Sequence, residues 1–591
     1  MRRLIISLLL APLAGFLTVD VAHAAKKPAN GPLLKLFDQV WQEDLADDPI
    51  MATQLGDARF NDRLPDMSPE AIDARNKRNY ARLASLRKIK KDKLEKADQL
   101  NFDLFERDIR FRIDEFTYKP WMFAIRTFDG PQLLTEVAEF APFNTVKDYD
   151  NWIARINASG VYFDQWIAQL QIGLNEQRTQ PRVVVTKILE QIKPQLVSNP
   201  EESGFYKPFR NMPAGIPQAE KDRLQAAAKA AIQTTGVPAY QRFERFLREV
   251  YLPGSRDTVG ISGAAYGDLF YRNRIREYTT VDNLSATQIH NMGLAEVKRI
   301  RAEMEKTLEG INFLGNLDQF LQFLRTDDRF FFKTPEELMA AYEKTARAID
   351  PQLPKLFGRL PKTPYGIRAI PAASAPTTTT AYYQPPSMDG SRPGNFYVNL
   401  YKPESRPTWE IEALTAHEAV PGHHLQIALS YEIQGLPEFR RRAGHTAFVE
   451  GWALYAESLG YDLGLYQDQF SKMGQLNYDM WRAVRLVVDT GMHEFKWTRD
   501  QAIYYFRQNT GKSDQDIVNE VDRYISWPGQ ALAYKVGQLR IQALRAEAEK
   551  ALGTSFDIRA FHDKLLGGGA LPLSVLETEM RAWIAAQSTR R

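Results

Sequence analysis

The 591-residue chain contains no cysteine. That absence removes disulfides, thiol nucleophiles and thiolate ligands together, so any metal must sit on histidine, aspartate or glutamate. It also removes lipid attachment at a lipobox cysteine. An exported protein of this size without bridges is held by its core alone, which suits a bacterial periplasm. A charge excess is missing too: 76 basic side chains face 73 acidic ones, a net of +3. Nothing in that balance draws the chain toward nucleic acid or an anionic membrane. The basic stretch RKIKKDKLEKAD (87–98) carries acids at helical spacing and reads as a solvated helix face.

Long apolar runs are absent after the first two dozen residues. The start itself reads as a signal peptide over 1–24. Arg2 and Arg3 precede the apolar LIISLLLAPLAGFL, and AHA at 22–24 fits a small-x-small cleavage site. Pro12, Gly15 and the short run argue against a retained membrane anchor. The expectation is an exported, periplasmic protein with no membrane span after cleavage.

What is present is mostly helix. LLKLFDQVWQEDLADD, AIDARNKRNYARLASLRKI, KDRLQAAAKAAIQTT and ATQIHNMGLAEVKRIRAEMEKTL place apolar residues at three- and four-residue steps, the last behind a Ser285 cap. Between about 361 and 405 this period vanishes. TTTTAYY and NFYVNLY read as strands around a turn-rich PPSMDGSRPG, a small sheet over about 366–402. Helix resumes at TWEIEALTAHEAV, with Thr408 as cap and Glu410 in the first turn. The chain divides on this reading into a helical region, 25–360, that walls a cleft, and a catalytic region, 361–591.

Seven histidines lie beyond the leader, and five of them fall between 417 and 493. HEAVPGHHLQ (417–426) opens like a zinc-peptidase H-E-x-x-H, yet Pro421 stands where the second histidine belongs. The next candidates are His423 and His424. On a straight α-helix six residues turn about 600° and rise about 9 Å, so His417 and His423 cannot chelate together. Pro421 and Gly422 are the two residues best suited to break such a helix and return His423 to His417. His424, seven residues on, shares the face of His417 but sits about 10.5 Å along the axis.

A tetrahedral catalytic zinc needs a third protein ligand and one open position. HTAFVEGWALYAESLGY places Glu450 and Glu457 seven apart in an apolar, aromatic helix, where unpaired acids are costly. Ion pairs with Arg440 to Arg442 are the plain explanation. Beside a His-Glu motif, Glu450 is favoured as the third ligand, and Glu457 as the group that holds a ligand histidine by its other nitrogen. Further on, Arg485, Asp489 and His493 share one helix face. They form either a structural network or a device in which Asp489 orients His493 toward an oxyanion. Tyr534 is a second candidate oxyanion donor. Arg485 and Arg540 are candidate partners for a peptide carboxylate. Asn395, Phe396 and Tyr397 of NFYVNLY are candidates to hold substrate backbone by edge pairing.

HEAVPGHHLQ, VEGWALYAE, RLVVDTGMH and YISWPGQALAYKVG together resemble the DUF885 proteins, over about 415–540. The resemblance implies a large, mainly helical fold with a zincin-like lobe of the gluzincin type. It implies His417, His423 and Glu450 as ligands of one Zn²⁺ per chain and Glu418 as general base. The expected function is hydrolysis of short peptides. Hydrolysis of another amide or ester, such as a cell-wall fragment, and a non-catalytic binding protein are the alternatives.

Overall fold

The computed structural model describes residues 31–589 apart from 124, 373 and 374. The expected signal peptide lies outside the described residues. The fold is mainly helical with one small sheet. Helices Gly31–Asp47, Pro69–Arg87 and Gln218–Ala231 coincide with segments of three- and four-residue apolar period. Helix α1, Ala286–Glu309, begins with the reciprocal cap its sequence suggests. Ser285 Oγ accepts from the Gln288 N–H, and the Gln288 side chain accepts from the Ser285 N–H. Helix α2, Pro335–Ile349, opens with a similar cap from Thr334.

The sheet interrupts this helical run. It comprises β1 (Tyr365–Ala369), β2 (Ala381–Gln384) and β3 (Gly394–Val398), in the order β1-β3-β2. β3 runs parallel to β1 and antiparallel to β2. It is therefore the central strand, and all five of its residues are buried. Phe396 meets Tyr342 of α2 edge-on at 5.6 Å, and Tyr397 stacks on Tyr382 at 5.0 Å. The Asn395 side chain accepts from Arg368 Nε at 3.0 Å. The expectation that Asn395, Phe396 and Tyr397 pair with a substrate backbone is corrected. Both edges of β3 are occupied by neighbouring strands, so it has no free ladder to offer.

After the sheet come α3 (Ile411–Glu418), α4 (His423–Glu432), α5 (Thr446–Leu459), α6 (Gln469–His493), α7 (Asp514–Ser526) and α8 (Leu532–Leu552). A 3-10 turn over Thr408–Glu410 leads into α3. Pro407, not Thr408, occupies the cap position, and Glu410 is buried in an ion pair with Lys512 at 2.8 Å. Helix α6 is the axis of this half, buried from Met473 to His493 with few breaks. Its charged residues must therefore find partners inside the protein. Helix α1 packs along it at Gly293, where an added Cβ would stand 2.7 Å from Leu486 Cβ. A single hydrophobic core consequently crosses residue 360, from the helix Val146–Asn175 to the last helix, Leu573–Ser588.

Helices α5 and α8 also cross closely. A Cβ on Gly537 would lie 1.9 Å from the Ala447 carbonyl, so the crossing tolerates no side chain there. It places Glu450, on α5, and Tyr534, on α8, within a turn of the same contact. No helix among the described residues is long and apolar enough to cross a membrane.

Candidate metal centre

The backbone solves the spacing problem by breaking the helix. α3 stops at Glu418, and Ala419 leaves helical geometry at φ −92°, ψ −110°. The Val420–Pro421 peptide is cis, Gly422 stands at φ −78°, ψ −127°, and α4 starts at His423. The turn folds tightly onto α3: an added Cβ at Gly422 would lie 1.9 Å from the His417 carbonyl. Trp452 Nε1, on α5, donates to the Pro421 carbonyl at 2.8 Å and pins the turn.

The break brings the two rings together, His417 and His423 centroids 4.8 Å apart and nearly perpendicular. Glu450 faces both. Its Oε2 lies 3.7 Å from His417 Nε2 and 3.4 Å from His423 Nε2. Of the described residues, these three offer ligand atoms that all lie within 4.8 Å of one another. Glu450 Oε2 is buried without a hydrogen-bond partner. On the far side of the His417 ring, Nδ1 donates to Glu457 Oε1 at 2.8 Å. Arg482 Nη2 approaches the same oxygen at 3.2 Å. With Nδ1 committed to Glu457, Nε2 is the nitrogen that faces the shared space.

Electrostatics follow from this crowding. Burial lowers the proton affinity of His417, but Glu450 and Glu457 outweigh it and carry the ring up to about 9. Burial would raise the Glu450 carboxyl, yet His423 and His417 hold it well below the usual carboxylate range. Two nitrogens and an unpaired carboxylate oxygen thus converge in a buried space that calls for positive charge. A proton supplies it partly; a divalent cation fits the donor set His, His, Glu. His423 departs from the usual pattern in one respect: its Nδ1 is buried without a partner.

Several other assignments change. His424 is not in the triad. Its Nε2 donates to the Thr363 carbonyl at 3.1 Å, and Nδ1 accepts from the Tyr383 hydroxyl at 2.8 Å. Burial pushes it down to about 4, so it stays neutral. His493 is likewise spent: Nδ1 accepts from the Ile261 N–H, and Nε2 donates to the Tyr524 carbonyl, each at 3.0 Å. It is fully buried and cannot reach an oxyanion. Asp489 does not orient it. The Asp489 carboxylate instead accepts from the Tyr271 hydroxyl at 2.6 Å and from the Gly529 N–H at 3.1 Å. Arg540 pairs through Nη1 with Glu577 on the last helix at 3.1 Å. The arginine run 440–442 does not neutralise Glu450 or Glu457; Arg440, for example, donates to Asn101 and to the Gly568 carbonyl.

Glu418 adjoins His417 and is 7% exposed. It has no hydrogen-bond or ion-pair partner among the described residues. Arg485 and Tyr534 lie together on the α6–α8 side, with the guanidinium carbon 4.1 Å from the Tyr534 ring centroid. Three contributors went unread in the sequence: Arg482, Trp452 and Tyr383, whose ring stacks beside His423 at 6.4 Å. The need of a buried Glu457 for a cation was the one available signal for Arg482. A cavity of about 400 Å³ lined by Asp44, Arg75, Arg112 and Trp121 shares no residue with the triad.

Two expectations follow from these contacts. Glu457→Gln leaves Arg482 buried without its carboxylate and loosens the His417 tautomer. Affinity for zinc should fall about 10- to 100-fold, and urea unfolding should show a loss of about 3 kcal/mol. Unchanged zinc affinity would remove Glu457 from the site. Asp489 provides a pH signature. Burial raises its carboxyl to about 7, against Tyr271 and Gly529, which lower it. The folded state thus binds this proton more tightly than the unfolded one. Its contribution is full below about pH 4 and is lost as pH rises to about 7. Asp489→Asn should flatten that part of a stability-versus-pH profile measured by urea unfolding.

The model of the family described as "Bacterial protein of unknown function (DUF885)" matches residues 49–580. No curated protein matches the sequence. Among solved structures, the chain is similar to a "putative lipoprotein" from Colwellia psychrerythraea. The two are 29% identical with a TM-score of 0.89, over 94% of this chain and 99% of that one. It also shares the fold of a "putative lipoprotein of unknown function" from Shewanella oneidensis. There the identity is 17% and the TM-score 0.69, over 93% of this chain and 99% of that one. The match to the family model begins just past the helix Gly31–Asp47 and runs through every residue of the His417 site, and the protein belongs to the DUF885 family.

Proposed function

We propose that the protein is an exported zinc-dependent peptidase that hydrolyses short peptides. One observation carries this reading: His417 Nε2, His423 Nε2 and an unpaired Glu450 Oε2 converge on one space, and Glu418, next to His417 in the chain, adds negative charge to that histidine's surroundings. A zinc ion held by these three residues would supply Lewis acidity to a scissile carbonyl and make water a stronger acid. Glu418 takes the proton of the attacking water and passes it to the leaving amine. Glu457 keeps the Nδ1 proton of His417 in place, so that Nε2 remains free for the metal. The donor set and the His-Glu order correspond to a gluzincin-type, zincin-like site.

Depth favours a short substrate. His417, Glu418 and His423 are each less than 9% exposed, so the site admits an extended chain more readily than a folded surface. Export is supported by the apolar leader and by the description of both similar structures as "putative lipoproteins". A periplasmic location fits that leader best.

The test combines composition and turnover. Protein purified without chelator should hold one zinc per chain by elemental analysis and cleave members of a short-peptide pool. Chelation should abolish cleavage and added Zn²⁺ should restore it. Cleavage confined to esters or amino-sugar peptides in the same screen would move the reading to another hydrolase. A metal content near zero would sink it.

A further inference from the structure

Beyond the triad, α6 and α7 bury a second charged cluster whose charges do not balance. Arg485 Nη2 donates to Glu520 Oε2 at 2.9 Å, and its Nε donates to the Tyr524 hydroxyl at 2.9 Å. Its third nitrogen, Nη1, is buried and has no partner. The guanidinium lies between rings, 4.1 Å from the Tyr534 centroid and 4.8 Å from that of Trp481. Arg523 brings a second positive charge. Its Nη1 stands 3.6 Å from Glu520 Oε1, and its Nη2 donates to the Tyr534 hydroxyl at 3.0 Å. One carboxylate, Glu520, therefore serves two arginines. The neighbouring acids of α7 are engaged elsewhere, Asp516 by Arg406 and Asp522 by Lys187 and Arg499. A buried positive charge left over, with an unpaired planar donor, is costly unless an anion arrives.

Position ties this cluster to the triad. Arg482, which contacts the Glu457 partner of His417, stacks on the same Trp481 indole at 4.4 Å. Arg485 follows it by one turn, about 4.5 Å along α6. Glu520 also accepts from Thr379 Oγ1 at 3.4 Å, in the segment that leads into β2 and Tyr383 beside His423. Tyr534 sits one turn before the Gly537–Ala447 crossing that positions Glu450. Arg523, with its side chain 21% exposed, gives the cluster an opening.

We propose that Arg485, Arg523 and Tyr534 form a subsite for a carboxylate of the substrate, so that the preferred substrates are short peptides with a free carboxylate near the scissile bond. The planar guanidinium of Arg485 has the donor geometry for a carboxylate oxygen, and the Tyr534 hydroxyl donates to the same group. This rests on the peptidase reading for its substrate but not for its chemistry of recognition.

The experiment compares identical short peptides as free acids and as C-terminal amides, using the zinc-loaded full chain. The free acid should be cleaved with kcat/KM about 10- to 100-fold higher. Arg523→Gln should narrow that ratio severalfold; a general folding defect would lower both rates together and leave the ratio unchanged. Amides ending in glutamate or aspartate form a second arm: rates matching the free acid assign the subsite to a side-chain carboxylate. A binding arm is independent of turnover. N-acetylphenylalanine should raise the Tm of the wild type, its amide should not, and Arg523→Gln should lose the difference. Carboxylate-dependent binding without any hydrolysis would keep the subsite and remove the peptidase reading. Equal cleavage of acids and amides, or equal binding of acid and amide, would overturn the subsite.

Discussion

Glu418→Gln is expected to lower kcat/KM for peptide hydrolysis by about 10²- to 10⁴-fold while zinc content stays at one per chain. The substitution keeps size and polarity but removes the only function assigned to the side chain, accepting a proton. Glu418 makes no ion pair or hydrogen bond among the described residues, so its loss should cost little stability. Its neighbour His417 is held by Glu457 from the opposite side of the ring, so the metal ligands should not move. Zinc by elemental analysis, thermal unfolding and initial rates on one cleaved peptide make the measurement. Retention of full activity with zinc bound would eliminate Glu418 as the base and with it the proposed mechanism.

Gly422→Ala is expected to be as damaging by a different route. The added methyl would meet the His417 carbonyl at 1.9 Å and the Ala416 carbonyl at 2.4 Å. Both are backbone atoms of the helix that presents the first ligand, so neither can move without moving His417. The loss should reach about 1–3 kcal/mol in urea unfolding, with zinc stoichiometry and activity falling together. Gly444→Ala serves as control, since a Cβ there meets nothing within 4 Å and the site is elsewhere. A Gly422→Ala protein with normal zinc content would show that the tight turn is not what closes the triad.

Local chemistry made much of the fold legible. Capped amphipathic helices such as Ala286–Glu309 carry their period and their ends in the sequence. The sheet was visible as a loss of helical period, but its strand order was not, because pairing joins residues far apart in the chain. That is why β3 was expected to be an edge and proves to be the centre. At the site, helix geometry required a break if His417 and His423 were to meet, and Pro421–Gly422 offered it; the choice of His423 over His424 rested on the family resemblance, and in the structure His424 turns to Thr363 and Tyr383 instead. The error at His493 has the opposite origin. Spacing shows that Arg485, Asp489 and His493 share a face of α6, but not what packs on that face. The backbone around Ile261 and Tyr524 takes both nitrogens of His493, and Tyr271 with Gly529 takes Asp489. Arg482 escaped notice for the same reason: its partner, Glu457, comes from another helix.

The close packing of α1 on α6 bears on how this chain can change over time. The helix that holds Arg482 and Arg485 is sheathed on one side by a helix from the first half, at a contact fitted around Gly293. The two halves are therefore not interchangeable modules. Recombination near residue 360 between distant relatives would join surfaces that had diverged separately, and the mismatch would fall on the helix that backs the metal ligands. Variation should accumulate instead on the outer helices of the first half, while the α1–α6 seam is inherited as one piece.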